Sequence, residues 1–162
     1  MSVNPVDLLV VQKDNTWDVE EWIVPLSTAL EGLTAEQAAW APPGGGNTIW
    51  QTVNHINYYN GRILSRLRGI NPGPALEKNE DTFAGTGGTS DEAAWADVLA
   101  ETKRIQQELR EAIASLTDEA LGAPYANTGE SFGRELSRWL LHDAYHAGQI
   151  VLIRRQQGSW RS

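Results

Sequence analysis

The sequence predicts an all-α protein, a four-helix bundle with a long crossover between helices two and three. Three observations carry this expectation. Four stretches repeat apolar residues at helical spacing. No run alternates as a half-buried strand would. One segment, "RGINPGPALEKNEDTFAGTGGTS", is rich in glycine, proline and polar residues and reads as loop. The 162 residues suit a single domain over 1–162, since a chain of this size buries roughly 68–70% of its extended surface.

The first segment, "VDLLVVQKDNTWDVEEWIVPLSTALEGL", places Leu8, Val11, Val19, Trp22, Ile23, Leu26, Leu30 and Leu33 on one stripe. Pro25 lies inside it and predicts a kink, because proline removes a backbone donor and crowds the preceding turn. The second segment follows "PPGGGNT", with Asn47 or Thr48 as N-cap and Ile49, Val53, Ile56, Ile63, Leu64 and Leu67 as its stripe, ending near Gly69.

The third, "SDEAAWADVLAETKRIQQELREAIASL", buries Trp95, Val98, Leu99, Ile105, Leu109, Ile113 and Leu116, with Thr89 and Glu92 spaced as a capping box. The fourth, "SFGRELSRWLLHDAYHAGQIVLIRRQQG", is apolar over more than half its circumference, including Leu136, Trp139, Leu140, Leu141, Ala144, Ala147, Ile150, Val151, Leu152 and Ile153. So wide an arc marks the most central helix or one that also lines a dimer interface. Arg154, Arg155 and Gly158 suit its C-terminus.

The connectors "LTAEQAAWAPPGGGNT" and "LTDEALGAPYANTGES" resemble each other, and each leads into a histidine-bearing helix. Thr34 with Gln37 is spaced to cap a short helical turn. The chain therefore reads as two similar helical hairpins, or as two connectors alike only because helix connectors share a vocabulary.

Composition excludes several functions. With no cysteine, disulfides, zinc–thiolate sites and a nucleophilic thiol of the chain's own are ruled out. A net charge of −8 argues against gripping nucleic-acid backbones, which needs a basic face. "MSVNPVDLLVVQK" lacks the basic start of a secretion signal, and "DLLVV" is too short to span a membrane. A cytoplasmic protein with no nucleic-acid or membrane partner is expected. No HExxH or Glu-x-x-His pattern occurs, which counts against a metalloprotease and a di-iron carboxylate bundle. "PPGGGNT" lacks the lysine of a phosphate loop and reads as a flexible connector. The seven tryptophans fall mostly at stripe or anchor positions and read as packing.

The three histidines are His55, His142 and His146. Residues four apart share a helix face, so His142 and His146 point the same way. Both sit at one edge of their helix's apolar arc, and His55 sits at the edge of its own. Two readings stand. They are core-edge imidazoles, each satisfied by a neighbour, or they form a three-histidine metal site with an open position. Imidazole suits zinc, nickel, copper and iron.

Around them, Gln149 could orient a ligating ring or a substrate, or simply be solvated. Tyr59, one turn from His55, could hydrogen-bond a ligand or pack at the core edge. Asp143 falls in the middle of an apolar arc, where a carboxylate needs partners. Asn60, mid-stripe on the second helix, is the expected one; the alternative is that Asp143 orients an imidazole across the bundle.

"TIWQTVNHI" together with "HDAYHAGQI", the long middle crossover and the "LTxE…P" connector resemble the DinB-like superfamily of metal-dependent enzymes over nearly the whole chain. The resemblance implies a four-helix bundle, commonly a homodimer, holding a divalent metal on three histidines. His55 matches the family's ligand in helix two, and His142 and His146 match the pair in its last helix. Zinc or nickel is the expected metal, with iron a further candidate. Some relatives are S-transferases using bacillithiol or mycothiol, and one branch isomerises maleylpyruvate with mycothiol; many members have no known reaction. The expected function is a thiol-dependent S-transferase acting on a small-molecule thiol and an electrophile. The alternatives are a metal-dependent hydrolase, with Tyr59 or Asp143 as the nearest candidates for its base, and a non-catalytic metal-binding dimer.

Overall fold

The computed structural model describes residues 3–161. Among them the regular structure is helical: α1 (Pro5–Trp17), α2 (Leu26–Leu30), α3 (Ala35–Ala39), α4 (Ile49–Leu67), a 3-10 turn (Asn79–Phe83), α5 (Glu92–Ala114), α6 (Asp118–Gly122) and α7 (Phe132–Gln156). The all-α expectation holds. The long helices pack in a cycle, α4 on α5, α5 on α1, α1 on α7 and α7 on α4.

The first segment departs from its prediction. It is broken, not kinked. Asn4 caps α1, Pro5 occupies its first turn, and the helix stops at Trp17. Pro25 adopts an extended conformation and serves as N-cap of α2, and its ring disfavours the helical region for the residue before it, Val24. The buried face of α1 is Val6, Leu9, Lys13 and Thr16, whereas Leu8, Val11, Val19, Trp22 and Ile23 are exposed. Five apolar residues had suggested a stripe that the break divides.

Both connectors behave alike. Thr34 and Gln37 form a capping box on α3, and Thr117 caps α6. Each chain segment then runs to a hydroxyl cap on the next long helix: Thr48, with Gln51 completing a capping box, on α4, and Ser131 on α7. The third segment corrects one detail. Asp91, not Thr89, caps α5, and the Glu92 carboxylate instead accepts from the Ala35 N–H at 2.9 Å, tying α5 to α3. Leu141 and Leu152, expected in the apolar arc of α7, are exposed. The helix ends as expected: Gly158 takes a left-handed φ of 73°, and Ser159 N–H donates to the Arg154 carbonyl at 2.8 Å.

Two apolar clusters fill the interior. One gathers Leu26, Ile49, Trp50, Val53, Ile56, Trp95, Ala147 and Ile150. The other gathers Val6, Leu9, Ile63, Leu64, Ile105, Leu109, Leu136, Trp139 and Leu140. Along α4 and α7 the clusters are separated by Asn60 and Asp143, both buried. There a polar network joins all four long helices. Lys13 Nζ donates to Gln106 Oε1. Gln106 Nε2 donates to Asp143 Oδ2 at 2.9 Å. Asn60 Nδ2 donates to both Asp143 oxygens, at 2.9 and 3.2 Å, and Trp139 Nε1 donates to Asn60 Oδ1 at 2.7 Å. The pairing of Asp143 with Asn60 is thus as expected; Lys13 and Gln106 were not foreseen.

The segment between α4 and α5 is pinned along one flank of α4. Asn54 donates to the carbonyls of Ala84 and Gly85 at 3.1 and 2.5 Å. The Tyr58 hydroxyl accepts from Leu76 N–H at 2.8 Å. Tyr59 donates to Asn79 Oδ1 at 3.0 Å, and Arg62 binds the carbonyls of Pro72, Gly73 and Pro74. The segment read as structureless therefore carries an ordered 3-10 turn, and that turn reaches the histidines.

Candidate metal centre

His55 comes from the second turn of α4, His142 and His146 from the middle of α7. The antiparallel polar flanks of these helices face one another, and the three Nε2 atoms converge. His55 Nε2 lies 2.9 Å from His142 Nε2, and His146 Nε2 lies 3.1 Å from the same atom. The three rings offer nitrogens within 4.8 Å of one another, a grouping that could hold a metal ion. His55 and His146 are buried and His142 half-buried.

The outer nitrogens fix the tautomers. Thr82 Oγ1 donates its proton to the Asn79 carbonyl at 2.5 Å, so toward His55 Nδ1, 2.6 Å away, it can only accept. His55 therefore carries its proton on Nδ1. Gln149 Oε1, an acceptor, sits 2.7 Å from His146 Nδ1, which sets the same tautomer there. In both rings the Nε2 lone pair is left facing the point of convergence. Phe83 stacks on His55 with centroids 3.9 Å apart and planes at 11°, and Tyr59 meets the same ring edge-on at 5.0 Å.

His142 is held differently. Its Nδ1 is buried without a hydrogen-bond partner, and the nearest carboxylate oxygen, Asp143 Oδ1, is 3.8 Å away. Burial opposes the charge on Asp143, but His142, Lys13, Gln106 and Asn60 together hold its carboxyl below the usual range. The site thus rests on a buried anion. Burial, followed by the proximity of His146 and His142, pulls His55 down to about 4. Burial and His142 lower His146 as well. Two neutral imidazoles with converging lone pairs are the state a cation requires of its ligands.

The donor set fits a divalent metal. Bonds of about 2.0–2.1 Å to imidazole nitrogen separate neighbouring ligand nitrogens by roughly 2.9–3.4 Å, close to the observed spacings. Lone pairs facing one another at such distances repel unless a cation or proton lies between them.

The triad opens on a cleft of about 1110 Å³. Tyr59, Gln149, Phe83, Tyr145, Trp139 and Arg66 are among its walls. Of the residues singled out from sequence, His55, His142, His146, Tyr59 and Gln149 come together here. Asp143 lies beneath, fully engaged by amides. Thr82 and Phe83 were missed. Their signal was faint: a hydroxyl and one of two phenylalanines in an otherwise polar, glycine-rich stretch.

An all-helical chain with three convergent imidazoles in the wall of a cleft defines a class, helical proteins with a histidine site able to take a metal. Within it, the sequence model of the DinB superfamily matches residues 25–150. The chain belongs to the DinB superfamily, and the matched span contains all three histidines, Asp143 and Gln149. Neither a curated protein nor a solved structure matches it. Among the described residues no helix is long and apolar enough to cross a membrane.

Proposed function

We propose that the protein is a divalent-metal enzyme in which His55, His142 and His146 hold zinc, nickel or iron, and that it transfers a small-molecule thiol to an electrophile. The observation that carries this reading is the convergence of three Nε2 atoms, two with their protons fixed on the far nitrogen, in the wall of a cleft. A bound divalent cation would supply positive charge that favours the ionised form of a thiol or water reaching the open side. S-transfer itself forms a carbon–sulfur bond while the bond to the leaving group breaks and the thiol proton is released. The chain's own residues orient the imidazoles through Thr82 and Gln149, shield His55 with Phe83, and bound the substrate with Tyr59 and Trp139. A chain without cysteine must receive its sulfur from the substrate.

The hydrolase reading is weaker. It needs a free base beside the triad, but Asp143 is buried under four hydrogen-bonding and charged neighbours and Tyr59 already donates to Asn79.

We further propose that α1, α4, α5 and α7 form a four-helix bundle with residues 68–91 as its crossover, and that two copies pair in the cytoplasm. The row Leu141, Tyr145 and Leu152, exposed by 66%, 64% and 57%, supports pairing through α7; sedimentation tests it.

The function is tested on protein purified without a histidine tag. Bound metal is measured, and a cobalt-substituted sample is titrated with bacillithiol, mycothiol and glutathione. A spectral response to a thiol, with product formed from a model electrophile, supports the transferase. Metal binding with no response to thiols and no turnover identifies a non-catalytic metal protein.

A further inference from the structure

The cleft beside the triad continues along α4. His55, Tyr59, Arg62 and Arg66 fall at positions i, i+4, i+7 and i+11, one face of the helix, and all four line the cleft. On α7 the row continues from His146 and His142 to Arg138 and Glu135, which line it too. A chain of net charge −8 has thus placed three arginines against one carboxylate in the wall of this cleft.

The arginines are not equivalent. Arg62 is committed to the carbonyls of residues 72–74. Arg138 pairs with Glu130 at 2.9 Å and with Glu135 at 3.8 Å. Arg66 has no carboxylate or carbonyl partner among the described residues; its guanidinium lies over the Tyr125 ring, 5.4 Å from the centroid. Arg66, Arg62, Glu135 and Tyr125 all line the cleft, with Arg66 against the Tyr125 ring. A half-buried guanidinium stacked on an aromatic ring, with its hydrogen-bonding edge unused, is preorganised for a planar oxyanion.

We propose that Arg66 binds the carboxylate of an elongated substrate whose reacting end lies at the histidine triad. One uncommitted cation with Glu135 nearby suits a single negative charge, a carboxylate, better than a phosphate dianion. Between the two polar ends the walls are Ile63, Trp139 and the Tyr59 ring, which fit an apolar body. Eleven residues of helix separate His55 from Arg66, about 16 Å of rise. The substrate class is therefore an ω-functionalised carboxylic acid whose apolar spacer spans much of that rise, on the order of 10 Å. This rests on the triad being the reacting centre.

The test uses a molecular ruler, ω-mercaptoalkanoic acids of increasing chain length, in a two-by-two comparison. The acid is compared with the corresponding alcohol, and the thiol with its S-methyl ether, by calorimetric titration of the metal-loaded and the metal-stripped protein. The acids are expected to bind at least about tenfold more tightly than the alcohols, the size of a charge-assisted hydrogen bond in a partly desolvated cleft, with an optimum chain length. Arg66→Gln should bring acid and alcohol within about twofold, Arg66→Lys should restore part of the difference, and Glu135→Gln should tighten the acid. Unchanged thermal unfolding of Arg66→Gln shows that folding is not the cause. Equal affinity of acid and alcohol at every length, a preference that survives Arg66→Gln, or no binding by any member overturns the proposal. The thiol against S-methyl contrast reads the metal centre separately. If it vanishes while the acid preference stays, the proposed S-transfer fails and the carboxylate site stands.

Discussion

The Nε2 atoms of His55 and His142 lie 2.9 Å apart although 87 residues separate them in the chain. Thr82 anchors His55 from behind and Gln149 anchors His146, whereas His142 Nδ1 is buried without a hydrogen-bond partner, 3.8 Å from Asp143 Oδ1.

Gln149 and Thr82 should therefore matter for metal affinity more than for folding. Gln149→Leu and Thr82→Val each remove the acceptor that keeps a proton on Nδ1. Each is expected to weaken metal binding about 10–100-fold with little change in secondary structure. Competition with a chromophoric chelator measures this.

The buried network should behave as a coupled unit. Lys13 is fully buried, and burial is the main influence lowering its pKa to about 8, with Asp143 acting in the opposite direction; it remains charged at neutral pH. Lys13→Met removes the cation facing Asp143 and should cost about 3–5 kcal/mol. Adding Asp143→Asn to that variant should recover at least half of the loss. Urea unfolding of the two single variants and the double variant provides the cycle.

Stability of the metal-stripped protein should fall on acidification. His55 titrates at about 4 in the folded chain and near 6.5 when unfolded. Between those values the unfolded chain binds the proton and the folded chain does not, so stability rises with pH across that window. The contribution is complete above about pH 6.5 and is lost as pH falls toward 4. Denaturant titrations of the chelated protein from pH 4 to 8 should show this slope, and His55→Gln should flatten it.

Gly87 should not tolerate a side chain. A Cβ there would lie 2.3 Å from the Trp50 ring, well inside contact distance. Gly87→Ala is expected to destabilise by about 1–3 kcal/mol and to shift the tryptophan emission. Thermal unfolding and fluorescence check it.

The parts of this protein legible in its sequence were those set by local chemistry or by a single helix face. Thr48 and Thr34 announced their helices because hydroxyl caps act within one turn. The pairing of Asp143 with Asn60 followed because a carboxylate in mid-arc has to find a donor. The place of the histidines at the arc edges left two readings open, and it is the packing of α4 against α7 that brings the three rings together. What was hidden depends on packing between distant segments. Lys13 reads as a surface residue until Gln106 and Asp143 surround it. Thr82 and Phe83 sit in a stretch whose order comes from Asn54, Tyr58 and Arg62 on another element. The break before Pro25 was masked because Val19, Trp22 and Ile23 happen to continue the apolar spacing of α1 and yet lie exposed.

The central claim is most directly tested by anomalous diffraction from crystals of protein expressed without a polyhistidine tag, with total metal measured on the same preparation. One divalent ion per chain is expected, about 2.0–2.1 Å from each Nε2 of His55, His142 and His146, and it should disappear in His142→Ala. A preparation without metal, whose anomalous map stays empty among the three rings after soaking in zinc and nickel, would contradict the account.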